Sequence, residues 1–278
     1  MRVLSNAHTH TIFCDGKNTA AEMAEAAYRL GFVSLGFSGH GPQAFDKAYS
    51  VRDVPGYIAE VNAIKQRYKG RMRVWMGIEQ DPLGVPCAYK FDYVIGAVHY
   101  IRREGKQCAV DGYIDKIERM YTDYFNRDGS EFARAYYNEV SLCARLLKPD
   151  IMAHFDLLRK HNVNSRFVST SSPAYRRAAL RALECVKENV KILEVNTGGM
   201  ARGYMDSPYP ERFILEAWRE MNGKVIISSD CHRAELLNHA LDETAGMLKS
   251  MGYKSIVRLG MGREVFEELE LSRNGRNN

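Results

Sequence analysis

The chain opens with two histidines one residue apart, His8 and His10, followed by Asp15 and Gly16. Residues 3–7, just before them, lean apolar and read as a strand. In extended backbone, residues i and i+2 face the same side. Both imidazoles can therefore aim at one point, as ligands of a divalent cation must. A His-x-His pair alone is more often a pair of surface histidines at a strand end. The rest of the chain changes that reading. His40, Glu79, His99, His154 and the pair Asp230/His232 also stand after short apolar runs. Six of the eight histidines occupy such positions; His161 and His239 lie elsewhere. Imidazole and carboxylate without thiolate suit Zn, Mn or Fe better than a structural cysteine-rich zinc site. Nine side chains result: His8, His10, Asp15, His40, Glu79, His99, His154, Asp230 and His232. They exceed the needs of one ion and suit two or three, with a carboxylate such as Glu79 bridging. Two ions roughly 3.5–4 Å apart would clamp a hydroxide and a phosphoryl oxygen.

The elements that must position these residues follow from periodicity and punctuation. Strands are expected at 3–7, 33–38, 72–78, 93–98, 151–153, 191–195 and 225–229, six of them ending in a candidate ligand. Thr19 and Glu22 have capping-box spacing and start a helix that Gly31 ends. Asp53 and Pro55 open a second helix, with Val54, Tyr57, Ile58, Val61 and Ile64 as its apolar stripe. The link 80–91 holds Pro82, Gly84 and Pro86 and leaves no room for a full helix. Further helices are expected at 113–126, 130–147, 173–188, 210–222, 235–250 and 262–270, with a Gly-rich loop at 197–208. The polar tail, 272–278, is expected to fray. Strands alternating with helices imply an α/β fold with a parallel sheet. The expected architecture is one domain, 1–278, built as a distorted seven-stranded (β/α)7 TIM-like barrel, with a doubly wound open sheet as the alternative. In a barrel the strand C-termini converge on one face, where active sites sit.

Composition narrows the class. The 278 residues suffice for one α/β barrel, and 45% apolar with 26% charged residues is ordinary for a soluble protein. A net charge of +5 permits an anionic substrate but argues against nucleic acid. No apolar run approaches the roughly 20 residues of a membrane span, and no signal peptide is evident, so a cytoplasmic location is expected. The six cysteines form no close pair and read as reduced thiols.

Seen together, the motifs resemble a known family. His8-x-His10 with Asp15, Ser38-Gly39-His40, Gly77-Ile78-Glu79, Gly96-Ala97-Val98-His99, Ala153-His154 and Ser229-Asp230-x-His232 are similar to those of the PHP (polymerase and histidinol phosphatase) family, over nearly the whole chain. The resemblance implies a distorted (β/α)7 barrel with a trinuclear site. It also implies a division of ligands: His8, His10, Glu79 and Asp230 for one ion; Glu79, His99 and His154 for a second; Asp15, His40 and His232 for a third. Within the family, the stretches 154–160 and 194–202 are most similar to histidinol-phosphate phosphatases. The activity so implied is hydrolysis of L-histidinol phosphate by a metal-bridging hydroxide, a step of histidine biosynthesis. Arg159, Lys160 and Arg202 are candidate phosphate clamps, because cations at that rim can pair with phosphate oxygens. Asp15, His232 and Arg202 are the candidate catalytic residues, and Asp156 a candidate partner orienting a neighbouring base or a ligand imidazole. The link between Glu79 and His99 is shorter than in many relatives, which bears on the substrate. Competing readings are a phosphoesterase for a nucleotide, an oligonucleotide end or phosphotyrosine, and a non-catalytic barrel that binds metal and phosphate.

Overall fold

The computed structural model describes residues 1–85 and 87–271; the expected frayed tail and Pro86 of the short link lie outside them. The strands are β1 (Ser5–Asn6), β2 (Ser34–Phe37), β3 (Arg73–Gln80), β4 (Tyr93–Gly96), β5 (Tyr100–Arg103), β6 (Lys106–Ala109), β7 (Ile151–Met152), β8 (Ile192–Asn196), β9 (Lys224–Ser228), β10 (Ser255–Leu259) and β11 (Phe266–Glu270). The α-helices are α1 (Ala20–Arg29), α2 (Val54–Arg67), α3 (Ile114–Phe125), α4 (Gly129–Leu147), α5 (Pro173–Asn189), α6 (Gly198–Ala201), α7 (Arg212–Glu220) and α8 (Leu241–Ser250). Local chemistry sets the helix starts. The Thr19–Glu22 capping box forms on α1, Asp53 caps α2 ahead of Pro55, and Ser172 caps α5 ahead of Pro173.

Among the described residues the main sheet has nine strands, in the order β1-β2-β3-β4-β7-β8-β9-β10-β11. All seven expected strands are present and pair in parallel in chain order. The sheet curls. Beyond β9, the Cys231 amide donates to the His8 carbonyl (3.0 Å) and the His10 amide to the Cys231 carbonyl (2.8 Å). The chain after β9 thus rejoins the chain after β1 at the ligand-bearing rim.

Two strands beyond the expected seven extend this sheet. β10 runs parallel to β9, and β11 turns back antiparallel onto β10. Residues 262–270, expected as a helix, are therefore a turn and a strand. Their Glu-rich composition suits a helix, but pairing with β10 overrides that weak preference. A register that sets Glu267 opposite Arg258, 2.7 Å apart, reinforces the pairing. A separate hairpin, β5–β6, also absent from the expectation, precedes α3 in the long segment between His99 and Lys148.

Helices cover the outer face of the sheet, and a smaller apolar cluster fills its inner face: Ala7, Trp75, Tyr93, Ile95, Ala97, Ile151, Ala153, Ile192, Ile226, Val257 and Leu259. Tyr93 fits there because Gly36 and Gly77 lack side chains. A Cβ at either would lie 2.1 or 2.4 Å from the Tyr93 ring system. Strand alternation then sets the rim. Glu79 follows Trp75 and Gly77 on the inner face of β3, and His99 follows Tyr93, Ile95 and Ala97 beyond β4.

Candidate metal centre

The nine residues singled out from the sequence converge at this rim. Glu79 is their hub. Its Oε1 lies 3.0 Å from His154 Nε2, 3.3 Å from His8 Nε2 and 3.5 Å from His99 Nε2. Its Oε2 lies 2.6 Å from His40 Nδ1 and 3.6 Å from His10 Nε2. Asp230 Oδ1 is 3.1 Å from His10 Nε2 and 3.7 Å from His8 Nε2. Asp15 faces His40 Nε2 at 3.4 Å and His232 Nε2 at 3.1 Å. Four overlapping groups could each hold an ion: His8, His10 and Asp230; His8, Glu79 and His154; His40, Glu79 and His99; and His10, Asp15, His40 and His232. The groups share His8, His10, His40 and Glu79.

The donor atoms fit divalent cations on their own chemistry. His8 Nε2, His10 Nε2, His40 Nε2, Glu79 Oε2 and Asp15 Oδ1 are buried and have no hydrogen-bond partner among the described residues. Leaving such atoms unsatisfied costs about 1–3 kcal/mol each, and cations at the shared focus would satisfy them. Charge is organised to match. Burial would raise the Glu79 carboxyl, but His8, His40 and His99 outweigh it and hold the group well below the usual range. Burial acts likewise on Asp230 and is outweighed by Arg202 and His8. Burial, with His232 and His40 nearby, pulls His10 down to about 3. His99 moves the other way, to about 9, because Glu79 and Asp81 outweigh its burial.

A cleft of about 1100 Å³ opens over the rim. Hairpin β5–β6, helix α3, the loop carrying Phe45, Asp46 and Tyr49, and Arg202, Tyr204 and His232 line it. Two of the three candidate phosphate-binding cations line it. Arg202 grips Asp230 through its Oδ2 (2.8 Å) and carbonyl (2.9 Å) and stands 3.3 Å from His232 Nδ1. Lys160 donates to the Asp111 carbonyl at 2.7 Å. Arg159 is placed differently from the expectation. Its guanidinium pairs with Asp156 (3.0 Å) and lies 3.7 Å from Glu211, and Arg159 does not line the cleft. Asp156 Oδ2 accepts from Arg159 and from the Glu211 amide (2.8 Å), so of the two expected partners it takes the neighbouring base rather than an imidazole.

Other residues hold the imidazoles. Glu194 accepts from His8 Nδ1 at 2.7 Å. Asp81 accepts from the His99 amide at 2.9 Å, and Tyr49 stacks on His40 with ring centroids 3.7 Å apart. Glu194 carries a signal in the sequence: it sits two residues after Ile192, on the inner face of a largely apolar strand. Tyr49 carries none, since its loop has no periodicity.

Fold and site define a class: an α/β protein whose curled sheet gathers imidazole and carboxylate ligands for divalent metals at its rim. The PHP domain model matches residues 6–198, and the chain belongs to the PHP domain family. It is 28% identical over 272 residues to a Deinococcus radiodurans protein named probable histidinol-phosphatase, covering 92% of this chain and 96% of that one. It is 25% identical over 267 residues to the histidinol-phosphatase of Bacillus subtilis, covering 84% and 96%. Two crystal structures share the fold. One, a Listeria monocytogenes protein assigned as a histidinol phosphatase, gives a TM-score of 0.73 at 23% identity over 86% of this chain and 98% of that one. The other, histidinol phosphate phosphatase of Lactococcus lactis with zinc, L-histidinol and phosphate bound, gives 0.68 at 18% over 92% and 96%.

Proposed function

We propose that the chain is a metal-dependent phosphomonoesterase that hydrolyses L-histidinol phosphate to L-histidinol and phosphate. The observation that carries this reading is the convergence of nine ligand side chains on one rim, in a chain whose near-full-length relatives bear that activity in their names. His8, His10, Asp15, His40, Glu79, His99, His154, Asp230 and His232 hold two or three divalent ions, Zn, Mn or Fe. Bound there, the cations supply an acidified water and charge neutralisation for an in-line displacement at phosphorus. The remaining work belongs to side chains. Arg202 and Lys160, both on the cleft, orient the phosphate and balance charge on its equatorial oxygens. Asp15 and His232 have the most exposed side chains of the nine, 32% and 20%. Both line the cleft and, as unprotonated ligands, would hold a cation beside the leaving alkoxide. The frame is one domain, 1–278, whose seven parallel strands form a distorted (β/α)7 barrel with the β10–β11 hairpin appended.

One observation favours a second substrate class. The cleft is roomy, and Lys106, Lys116 and Arg119 also line it, which suits a longer anionic ester such as a nucleotide. A phosphatase panel on metal-reloaded protein separates the two. Histidinol phosphate should be turned over fastest, with activity lost on chelation and restored by Zn, Mn or Fe. A fully stripped enzyme that keeps its activity would end the metal reading, and a faster nucleotide would replace the substrate.

A further inference from the structure

Among the described residues, Glu194 belongs to none of the four ligand groups, yet it is fully buried against two of their members. Both its oxygens are saturated, and all four neighbours are donors. Oε1 accepts from His8 Nδ1 and from the Ser228 hydroxyl. Oε2 accepts from the backbone amide of His154 and from Asn196 Nδ2, each at 2.8 Å. A deprotonated carboxylate is an acceptor on both oxygens, so it matches this environment as no amide can. With Nδ1 donating, the lone pair of His8 lies on Nε2. That atom points at Glu79 Oε1 (3.3 Å) and Asp230 Oδ1 (3.7 Å) and has no hydrogen-bond partner.

We infer that Glu194 is a positioning residue: it fixes the proton of His8 on Nδ1, frees Nε2 for a metal ion, and pins the backbone of the second ligand His154. The inference rests on the reading that His8 holds a divalent cation. Carboxylates that accept from the outer nitrogen of a ligating histidine commonly set its tautomer and orientation. Here the geometry also says what an isosteric change would do. The amide of Asn196 cannot turn, because its Oδ1 accepts from the Gly198 amide at 2.8 Å. The His154 amide is backbone and can only donate. A glutamine at 194 must therefore set its oxygen toward those two donors and its NH2 toward Ser228 and His8. The Ser228 hydroxyl can rotate to accept. His8 can accept on Nδ1 only by moving its proton to Nε2, the atom meant for the metal.

The test compares Glu194→Gln, His8→Ala and the double variant by chelator-competition titration with zinc. A binding step about 10–100-fold weaker is expected in Glu194→Gln, and His8→Ala should show a comparable loss. The double variant should be no worse than His8→Ala, since the glutamine keeps its oxygen on the His154 amide and loses only the contact to His8; fully additive losses would overturn the inference. In nitrogen-15 spectra of histidine-labelled protein, zinc-loaded wild type should show His8 protonated on Nδ1, and Glu194→Gln should show the proton on Nε2. If His8→Ala weakens zinc binding and Glu194→Gln does not, Glu194 has no such role and the metal reading stands. If His8→Ala has no effect either, His8 is not a ligand and both fail. Should the Glu194 variants not fold, the wild-type spectrum decides alone. A zinc-bearing Nδ1 on His8 would contradict the proposal.

Discussion

The inner face of the sheet has two storeys that differ completely within a few residues of the same strands. On β3 the lower storey is Trp75 and the upper is Glu79; on the β4 path it is Tyr93 and Ile95 below and His99 above; on β8, Ile192 below and Glu194 above. Both storeys are buried. The lower is an apolar plug whose members satisfy each other by packing. The upper is polar, and six atoms of the nine candidate ligands have no hydrogen-bond partner among the described residues. The difference teaches that height along a strand, as much as residue type, separates a residue that holds the fold together from one that holds a ligand.

Exchanging one residue in each storey sharpens this contrast. Glu79→Gln removes the hub of the upper storey, and kcat for a phosphomonoester should fall on the order of 10³-fold, with bound metal reduced and the melting temperature of the metal-free protein little lowered. Steady-state kinetics beside elemental analysis reads both. Ile95→Ala, in the plug, should do the opposite. It should destabilise the fold by about 2–5 kcal/mol, read by urea unfolding, and leave kcat and metal content of the folded fraction unchanged. Equal behaviour of the two variants would dissolve the distinction.

The upper storey was the more legible in the sequence. His40, His99 and His154 each follow a short apolar run, and a polar residue at the end of such a run needs a reason. Helix starts were legible too, because Thr19 with Glu22 and Asp53 with Pro55 act locally. What escaped depends on pairing and packing that no local pattern shows. Whether residues 262–270 coil or extend is decided by β10. The direction of a side chain just beyond a strand end is also invisible. Arg159 and Lys160 are adjacent, yet one turns to Asp156 and the other to the cleft. Glu194 was only partly legible: a carboxylate on the inner face of β8 stands out, but it has no motif, and its role shows only in its four donors.

Smaller effects refine the upper storey. Arg202→Ala should lower kcat/KM about 100-fold while metal content stays full, separating charge balance on the substrate from ligation; unchanged kinetics would remove Arg202 from the site. The pH dependence follows from His99. Its pKa near 9 in the metal-free protein means that it is protonated at pH 7.5, whereas a ligand must be neutral. Zinc binding at pH 7.5 should therefore release protons, visible with an indicator dye. Affinity should weaken as pH falls from 9 to 7, by about tenfold per pH unit for each proton displaced. An affinity flat across that window would contradict the assignment of His99 as a ligand.

The central claim is that one rim gathers nine side chains around a cluster of cations. Anomalous diffraction at the zinc edge, from crystals grown with zinc, tests it most directly. Two or three peaks should appear, each contacted by donor atoms of Glu79, Asp15 or Asp230 together with the neighbouring imidazoles. A rim without a peak, with zinc bound only elsewhere on the surface, would contradict the account.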